Sequence, residues 1–166
     1  MVMLQKKICM LGGFSVGKTS LVARFVKSVY SEKYHSTIGV KIDKKLIPVG
    51  DNEVNCILWD IAGEDDFYTI DNSYLRGMSG YILVVDGTRS NTLDVASELN
   101  RRVESLLGKL PFILVINKFD LVDEWEVSDL HLNKFSDCHC TIIKASAKTG
   151  EGVEQAFHTL ACRIST

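Results

Sequence analysis

The chain has 166 residues, of which 46% are hydrophobic and 24% charged, and its net charge is −2. That composition predicts a single globular domain over residues 1–166, excludes disorder and leaves no material for a second core. The lysines stand singly or in pairs such as Lys6-Lys7 and Lys44-Lys45, so nucleic-acid binding is not expected; apolar runs such as Tyr81 to Val85 are far shorter than the roughly 20 residues of a transmembrane helix.

The N-terminal segment MVMLQKKICM carries its basic pair at a strand start and has no small-residue cleavage site, so a signal peptide is not expected and a cytoplasmic location is. A β-branched, apolar run predicts a first buried strand over Lys7 to Leu11. Directly after it, Gly12-Gly13-Phe14-Ser15-Val16-Gly17-Lys18-Thr19 satisfies G-x-x-x-x-G-K-[ST] and leads into a helix over Lys18 to Val26. Glycines turn backbone N–H groups inward, the helix start adds its positive dipole end, Lys18 reaches the β and γ phosphates, and Thr19 ligates magnesium. The predicted phosphate-binding residues are therefore Gly13, Phe14, Ser15, Val16, Gly17, Lys18, Thr19 and Ser20. The polar segment Tyr34-His35-Ser36-Thr37-Ile38-Gly39 reads as a loop in which Thr37 either supplies a second hydroxyl to the metal or simply starts a strand.

Two further strands, Lys41 to Val49 and Asn55 to Asp60, are joined by Gly50, Asp51 and Asn52, which is too short for a parallel crossover and predicts an antiparallel hairpin. The second of them ends in Trp59-Asp60-Ile61-Ala62-Gly63. Asp60 at a sheet edge can hold a magnesium-bound water, and Gly63 can offer an N–H to a γ-phosphate at close range. Strand Gly80 to Asp86, helix Thr92 to Leu107 and strand Phe112 to Asn117 follow. Asn117-Lys118-Phe119-Asp120 then provides a base reader. Asp120 accepts from N1–H and the exocyclic amine of guanine, donors that adenine lacks at those places. The Lys118 stem can lie over the base, and Asn117 can tie the segment to the phosphate loop. The last strand, Cys140 to Ala145, runs into Ser146, Ala147 and Lys148, where a backbone N–H is predicted for guanine O6. A final helix over Val153 to Arg163 puts Val153, Phe157, Leu160, Ala161 and Ile164 on one face. Cys9, Cys56, Cys138, Cys140 and Cys162 read as reduced structural thiols, since C-x-C at Cys138 and Cys140 beside His131 and His139 is not a usual zinc spacing.

Alternating strands and helices predict an α/β fold. With these residues assembled, the chain resembles a small GTPase of the Ras superfamily, and its Rab branch most, through Thr37-Ile38-Gly39-Val40, Leu58 to Gly63 and Ser73-Tyr74-Leu75-Arg76-Gly77. The resemblance covers about Lys6 to Ile164. It implies the three-layer P-loop NTPase sandwich, with a six-stranded, mostly parallel sheet, one antiparallel hairpin and five helices on both faces. It also implies magnesium-dependent GTP hydrolysis to GDP, Thr19 and Thr37 on the metal, Tyr30 against the base, and effector, exchange and activating proteins bound through the switch loops of a monomer.

Three departures from the family pattern stand out. Glu64, followed by Asp65 and Asp66, takes the place of the glutamine that orients the attacking water; a carboxylate accepts from water but cannot donate as an amide does, and its charge opposes the γ-phosphate. Phe14 replaces a small or polar residue, so its ring either screens the γ-phosphate, blocks an arginine finger or packs on a switch loop. The C-terminal Cys162-Arg163-Ile164-Ser165-Thr166 is not a prenylation box, and Met1-Val2 excludes N-myristoylation; membrane anchoring is expected only if a lipidated tail lies beyond this sequence. The expected machinery is Lys18, Thr37, Gly63 and Glu64 for hydrolysis, with Thr19, Thr37 and Asp60 (through water) around magnesium. The expected activity is a slow GTPase switch; a GTP-binding scaffold with little turnover is the alternative. Trp59, Ile42 and Tyr74 form either an effector patch or packed core.

Overall fold

The computed structural model describes residues 3–32, 37, 39–63, 70–138 and 140–166. Its strands are β1 Met3–Gly12, β2 Val40–Val49, β3 Asn52–Ile61, β4 Gly80–Asp86, β5 Phe112–Asn117 and β6 Thr141–Lys144. They form one six-stranded sheet in the order β2-β3-β1-β4-β5-β6. Strands β1, β3, β4, β5 and β6 run parallel, while β2 pairs antiparallel to β3 from Val40↔Ile61 to Val49↔Asn52. Among the described residues the helices are α1 Lys18–Lys27, α2 Asn91–Leu107, the short α3 Asp129–Leu132 and α4 Val153–Ile164; 3-10 turns lie at Asn72–Leu75, Phe119–Glu124 and Asn133–Cys138.

Each central strand is buried on both faces, and its side chains alternate between two cores. Ile8, Met10, Ile82, Val84, Ile113 and Val115 point to the layer of α1 and α4, where Phe25 and Phe157 stack with ring centroids 4.1 Å apart. Cys9, Leu11, Tyr81, Leu83, Val85, Leu114 and Ile116 face α2 through Leu93, Ala96, Leu99 and Val103. Burying one such side chain contributes about 1.5–3 kcal/mol, so the two layers together hold the helices against the sheet. Tyr81 places its hydroxyl in the second core by donating to Asn100 Oδ1 at 2.6 Å. Burial pushes the Cys9 thiol up to about 12 and the Cys56 thiol to about 11, which keeps both protonated. The side chain of Cys138 and all of His139 lie outside the described residues. No helix among the described residues is long and apolar enough to cross a membrane.

Two differences from the expected element boundaries shape the sheet. β1 starts at Met3 rather than Lys7, because Met3 to Lys6 pair with Glu53 to Cys56 of β3 before β4 joins at Ile8↔Gly80. The hairpin turn is Gly50-Asp51 rather than three residues, with Asn52 already paired to Val49; Gly50 takes φ 60, as the first central residue of a tight two-residue turn requires. The parallel arrangement brings the ends of five strands to one edge. Gly12, Ile61, Asp86, Asn117 and Lys144 close those strands there, and ligands of open α/β sheets bind along such an edge.

Candidate nucleotide site

The phosphate loop leaves β1 and enters α1 through Gly17, the helix N-cap, at φ 101 and ψ 24. A Cβ at Gly17 would overlap the Asn117 side-chain amide, so both the conformation and the space call for glycine. No side-chain hydrogen bond caps α1 and its first turn holds no acid, which leaves its first N–H groups and dipole end to an anion. Lys18 is buried and donates to Gly12 O and Gly13 O, each at 3.0 Å. Desolvation brings its ammonium down to about 8, opposed by the Asp60 carboxylate. Gly63 completes the floor: a Cβ there would overlap Lys18 Nζ and lie 2.5 Å from Gly13 O. A cavity of about 410 Å³ opens above these groups, and Phe14, Ser15, Thr19, Ser20, Tyr30 and Thr37 are among its walls.

Thr19 connects three elements at the cavity's end. Its hydroxyl donates to Asp60 Oδ2 at 2.6 Å and lies 2.7 Å from Thr37 Oγ1. Asp60 is 1% exposed, and its Oδ1 is a buried oxygen without a hydrogen-bond partner among the described residues. Burial raises the Asp60 carboxyl, while the Thr19 hydroxyl and Lys18 pull it down. Two hydroxyls and a carboxylate with an unsatisfied oxygen form an all-oxygen donor set that suits a hard divalent cation, with water and phosphate supplying its remaining ligands. Thr37 does not start β2, which begins at Val40, and its hydroxyl lies beside that of Thr19. Glu64, Asp65, Asp66, Tyr34, His35, Ser36 and Ile38 lie outside the described residues.

A second, adjoining cavity of about 180 Å³ gathers the residues predicted to read the base, with Asn117, Lys118, Asp120, Ala147 and Lys148 among its lining. Asn117 is buried and bridges the two loops: Nδ2 donates to Val16 O at 2.9 Å, and Oδ1 accepts from the Ala147 amide at 3.2 Å. The Ala147 N–H is thus engaged with Asn117 in this structure. Ser146 is fully buried, and its hydroxyl donates to Asp120 Oδ1 at 2.7 Å, orienting the carboxylate. Tyr30 and Ser20 line both cavities. Lys148 reaches Glu32 at 3.1 Å, an exposed pair that raises the lysine.

Sequence reasoning missed several supports. Asp86, closing β4, is 1% exposed and accepts from Lys118 Nζ at 2.7 Å, Arg89 Nε at 3.0 Å and both the amide and hydroxyl of Thr88. Burial would raise its carboxyl, but these donors outweigh it and the net shift is downward. Lys118 also donates to Ser15 O at 3.3 Å, and Arg89 to Phe14 O at 2.8 Å, so one buried carboxylate braces phosphate loop and base reader together. Arg24 of α1 adds bonds to Ala147 O at 2.8 Å and Lys148 O at 2.5 Å. Only the N-K-x-D lysine was visible as a signal for this network; the bonds to Phe14 O, Ser15 O, Ala147 O and Lys148 O span 75 to 124 residues of the chain.

A phosphate cradle, an oxygen-rich corner and an acidic base reader, aligned along one edge of a parallel sheet, define a guanine-nucleotide-binding P-loop protein. The sequence model of the Ras family matches residues 7–166. The chain is 37% identical over 161 residues to the Ras-related protein Rab-1 of Theileria annulata, covering 93% of this chain and 72% of that protein. It is 35% identical over 155 residues to the GTP-binding protein Rheb homolog of Dictyostelium discoideum, covering 92% and 83%. It is 34% identical over 160 residues to the human Ras-related protein Rab-30, covering 95% and 79%. The chain belongs to the Ras family: it is a Rab-like small GTPase, a switch that binds GTP and hydrolyses it.

Proposed function

We propose that residues 1–166 form one G domain that acts as a slow, magnesium-dependent GTP switch. Amides from Gly13 to Ser20 and the Lys18 ammonium hold the phosphates, Gly63 meets the γ-phosphate, and Asn117, Lys118, Asp120, Ser146, Ala147 and Lys148 read guanine with Tyr30 at its side. Thr19 and Thr37 would ligate magnesium and Asp60 would order its water. A magnesium ion held there would supply charge neutralisation to the phosphates. The chemistry needs no protein nucleophile, because phosphoryl transfer depends on positioning and charge stabilisation. Glu64 takes the role of orienting the attacking water, and its charge is the reason the reaction is slow. Thr37 would be the reporting residue: its hydroxyl would meet the metal only while the γ-phosphate is bound, which would couple nucleotide state to the binding of effectors. Exchange and activating proteins act on the same loops of a monomeric, cytoplasmic protein.

The observation that carries this reading is Asp60 Oδ1, buried without a hydrogen-bond partner among the described residues, beside the paired hydroxyls of Thr19 and Thr37. Phe14 favours a second reading, a GTP-loaded scaffold, because its side chain, 41% exposed, stands on the wall of the phosphate cavity. Effectors would meet Ile42, Trp59 and Tyr74: Ile42 is 47% exposed, and the rings of Trp59 and Tyr74 lie 6.4 Å apart. A single-turnover assay on GTP-loaded protein separates the readings. Phosphate release within hours that requires magnesium supports the switch, and intact GTP after a day supports the scaffold.

A further inference from the structure

Lys118 sits at φ 71 and ψ 37, a left-handed conformation uncommon for a residue with a side chain. Its side chain is held by Asp86 and Ser15 O, and its carbonyl accepts twice, from the Leu121 amide at 2.8 Å and from the Trp125 indole N–H at 3.0 Å. Trp125 is itself wedged in place. Its ring meets Phe119 edge-on at 5.5 Å, and it lies against Gly87 so closely that a Cβ there would overlap it, with Trp125 Nε1 2.5 Å away. Gly87 O accepts from the amides of Glu126 at 2.8 Å and Val127 at 3.1 Å, and Gly87 N donates to Asn117 O at 3.1 Å. Glu126 then accepts from the amide and hydroxyl of Ser90, beside the start of α2. Trp125 to Val127 thus fastens the base-reading loop to the turn after β4, the same turn whose Asp86 and Arg89 brace the phosphate loop.

From this juxtaposition we infer that Trp125, seated on Gly87 and bonded to Lys118 O, is a positioning residue that holds the guanine-reading loop in its left-handed form and so sets how long the nucleotide stays bound. The inference rests on the assignment of Asn117, Lys118 and Asp120 as the base reader. Trp125 does not touch the phosphate cavity and has no part in the hydrolytic step. Its influence is therefore on residence time and base discrimination, and not on turnover of bound GTP.

The test is Trp125→Phe, which keeps a ring and removes the N–H, with Gly87→Ala as the second variant, since its added methyl displaces the ring while Trp125 keeps its donor. GDP release is followed by displacement of a fluorescent GDP, preference by the ratio of GDP to IDP affinity, and chemistry by single-turnover hydrolysis of pre-bound GTP. Inosine lacks the exocyclic amine, so that ratio reads the Asp120 contact. Losing one hydrogen bond of ordinary strength predicts release about fivefold faster in Trp125→Phe, a smaller GDP preference, and an unchanged hydrolysis rate. Unchanged release in folded Trp125→Phe, or in Gly87→Ala where Trp125→Phe fails to fold, overturns the inference, as does faster release with GDP preference intact. Wild-type protein that binds no GDP would instead overturn the base-reader assignment itself.

Discussion

Replacing Asn117 by alanine removes two bonds at once and strands their partners. Val16 O loses its 2.9 Å donor and the Ala147 amide its 3.2 Å acceptor, at a side chain that is 3% exposed. Each buried polar group left unsatisfied costs about 1–3 kcal/mol, so the two together cost about 2–6 kcal/mol. Part of that is expressed as lost stability of the nucleotide-free protein, because both bonds exist without ligand. The rest falls on affinity, because the phosphate loop and the base reader no longer share a brace; at 1.4 kcal/mol per tenfold, each 2 kcal/mol so expressed weakens GDP binding by about thirtyfold. Urea unfolding of the nucleotide-free and GDP-saturated variant, with calorimetric titration of GDP, apportions the two parts. A nucleotide-free stability within about 0.5 kcal/mol of wild type together with an unchanged GDP Kd would refute the reasoning, since surface-like substitutions give no more.

Gly63→Ala introduces a Cβ that overlaps Lys18 Nζ and crowds Gly13 O, so GTP affinity should fall at least about tenfold while GDP affinity, lacking the γ-phosphate, changes less; competitive titrations compare the two. Phe14→Gly should speed single-turnover hydrolysis by up to about tenfold, equivalent to about 1.4 kcal/mol of barrier, if the ring screens the γ-phosphate. The Lys18 ammonium, at about 8 in the folded protein against an ordinary 10.5, gives a pH signature. Between those values the unfolded chain holds a proton that the nucleotide-free fold releases, so stability of the nucleotide-free form rises with pH across that window. Bound polyphosphate calls the proton back, and GDP affinity should fall as pH rises past about 8, by up to tenfold per unit. Calorimetry across that range checks the sign.

What was legible in the sequence was what the chain keeps local. The phosphate loop, the strand before it and the helix after it are contiguous, so Gly12 to Ser20 announced the strand-loop-helix conformation. Asp60 and Asn117 were placed because each follows or ends an apolar run of strand length. The hairpin was readable from chain length alone, since so few residues cannot make a crossover. What was hidden depends on contacts across the sheet edge. Asp86 looked like the end of a buried strand, and only the approach of Lys118 and Arg89 gives its carboxylate a purpose. The commitment of the Ala147 amide to Asn117 could not be read, because it depends on how close β5 and β6 bring their loops. Met3 to Lys6 lacked an apolar run, yet pairing with β3 makes them strand. Trp125 carried no motif, and its meaning depends on the missing side chain of Gly87, 38 positions earlier by subtraction.

Protein stripped of endogenous ligand and titrated by calorimetry with GDP, GTP and ATP, each with and without magnesium, tests the central claim most directly. Saturable binding of GDP and GTP, tightened by magnesium, with ATP weaker by at least about a hundredfold, is the predicted result. Equal affinity for ATP and GTP would contradict the role of Asp120, and the absence of binding to either guanine nucleotide would contradict the account as a whole.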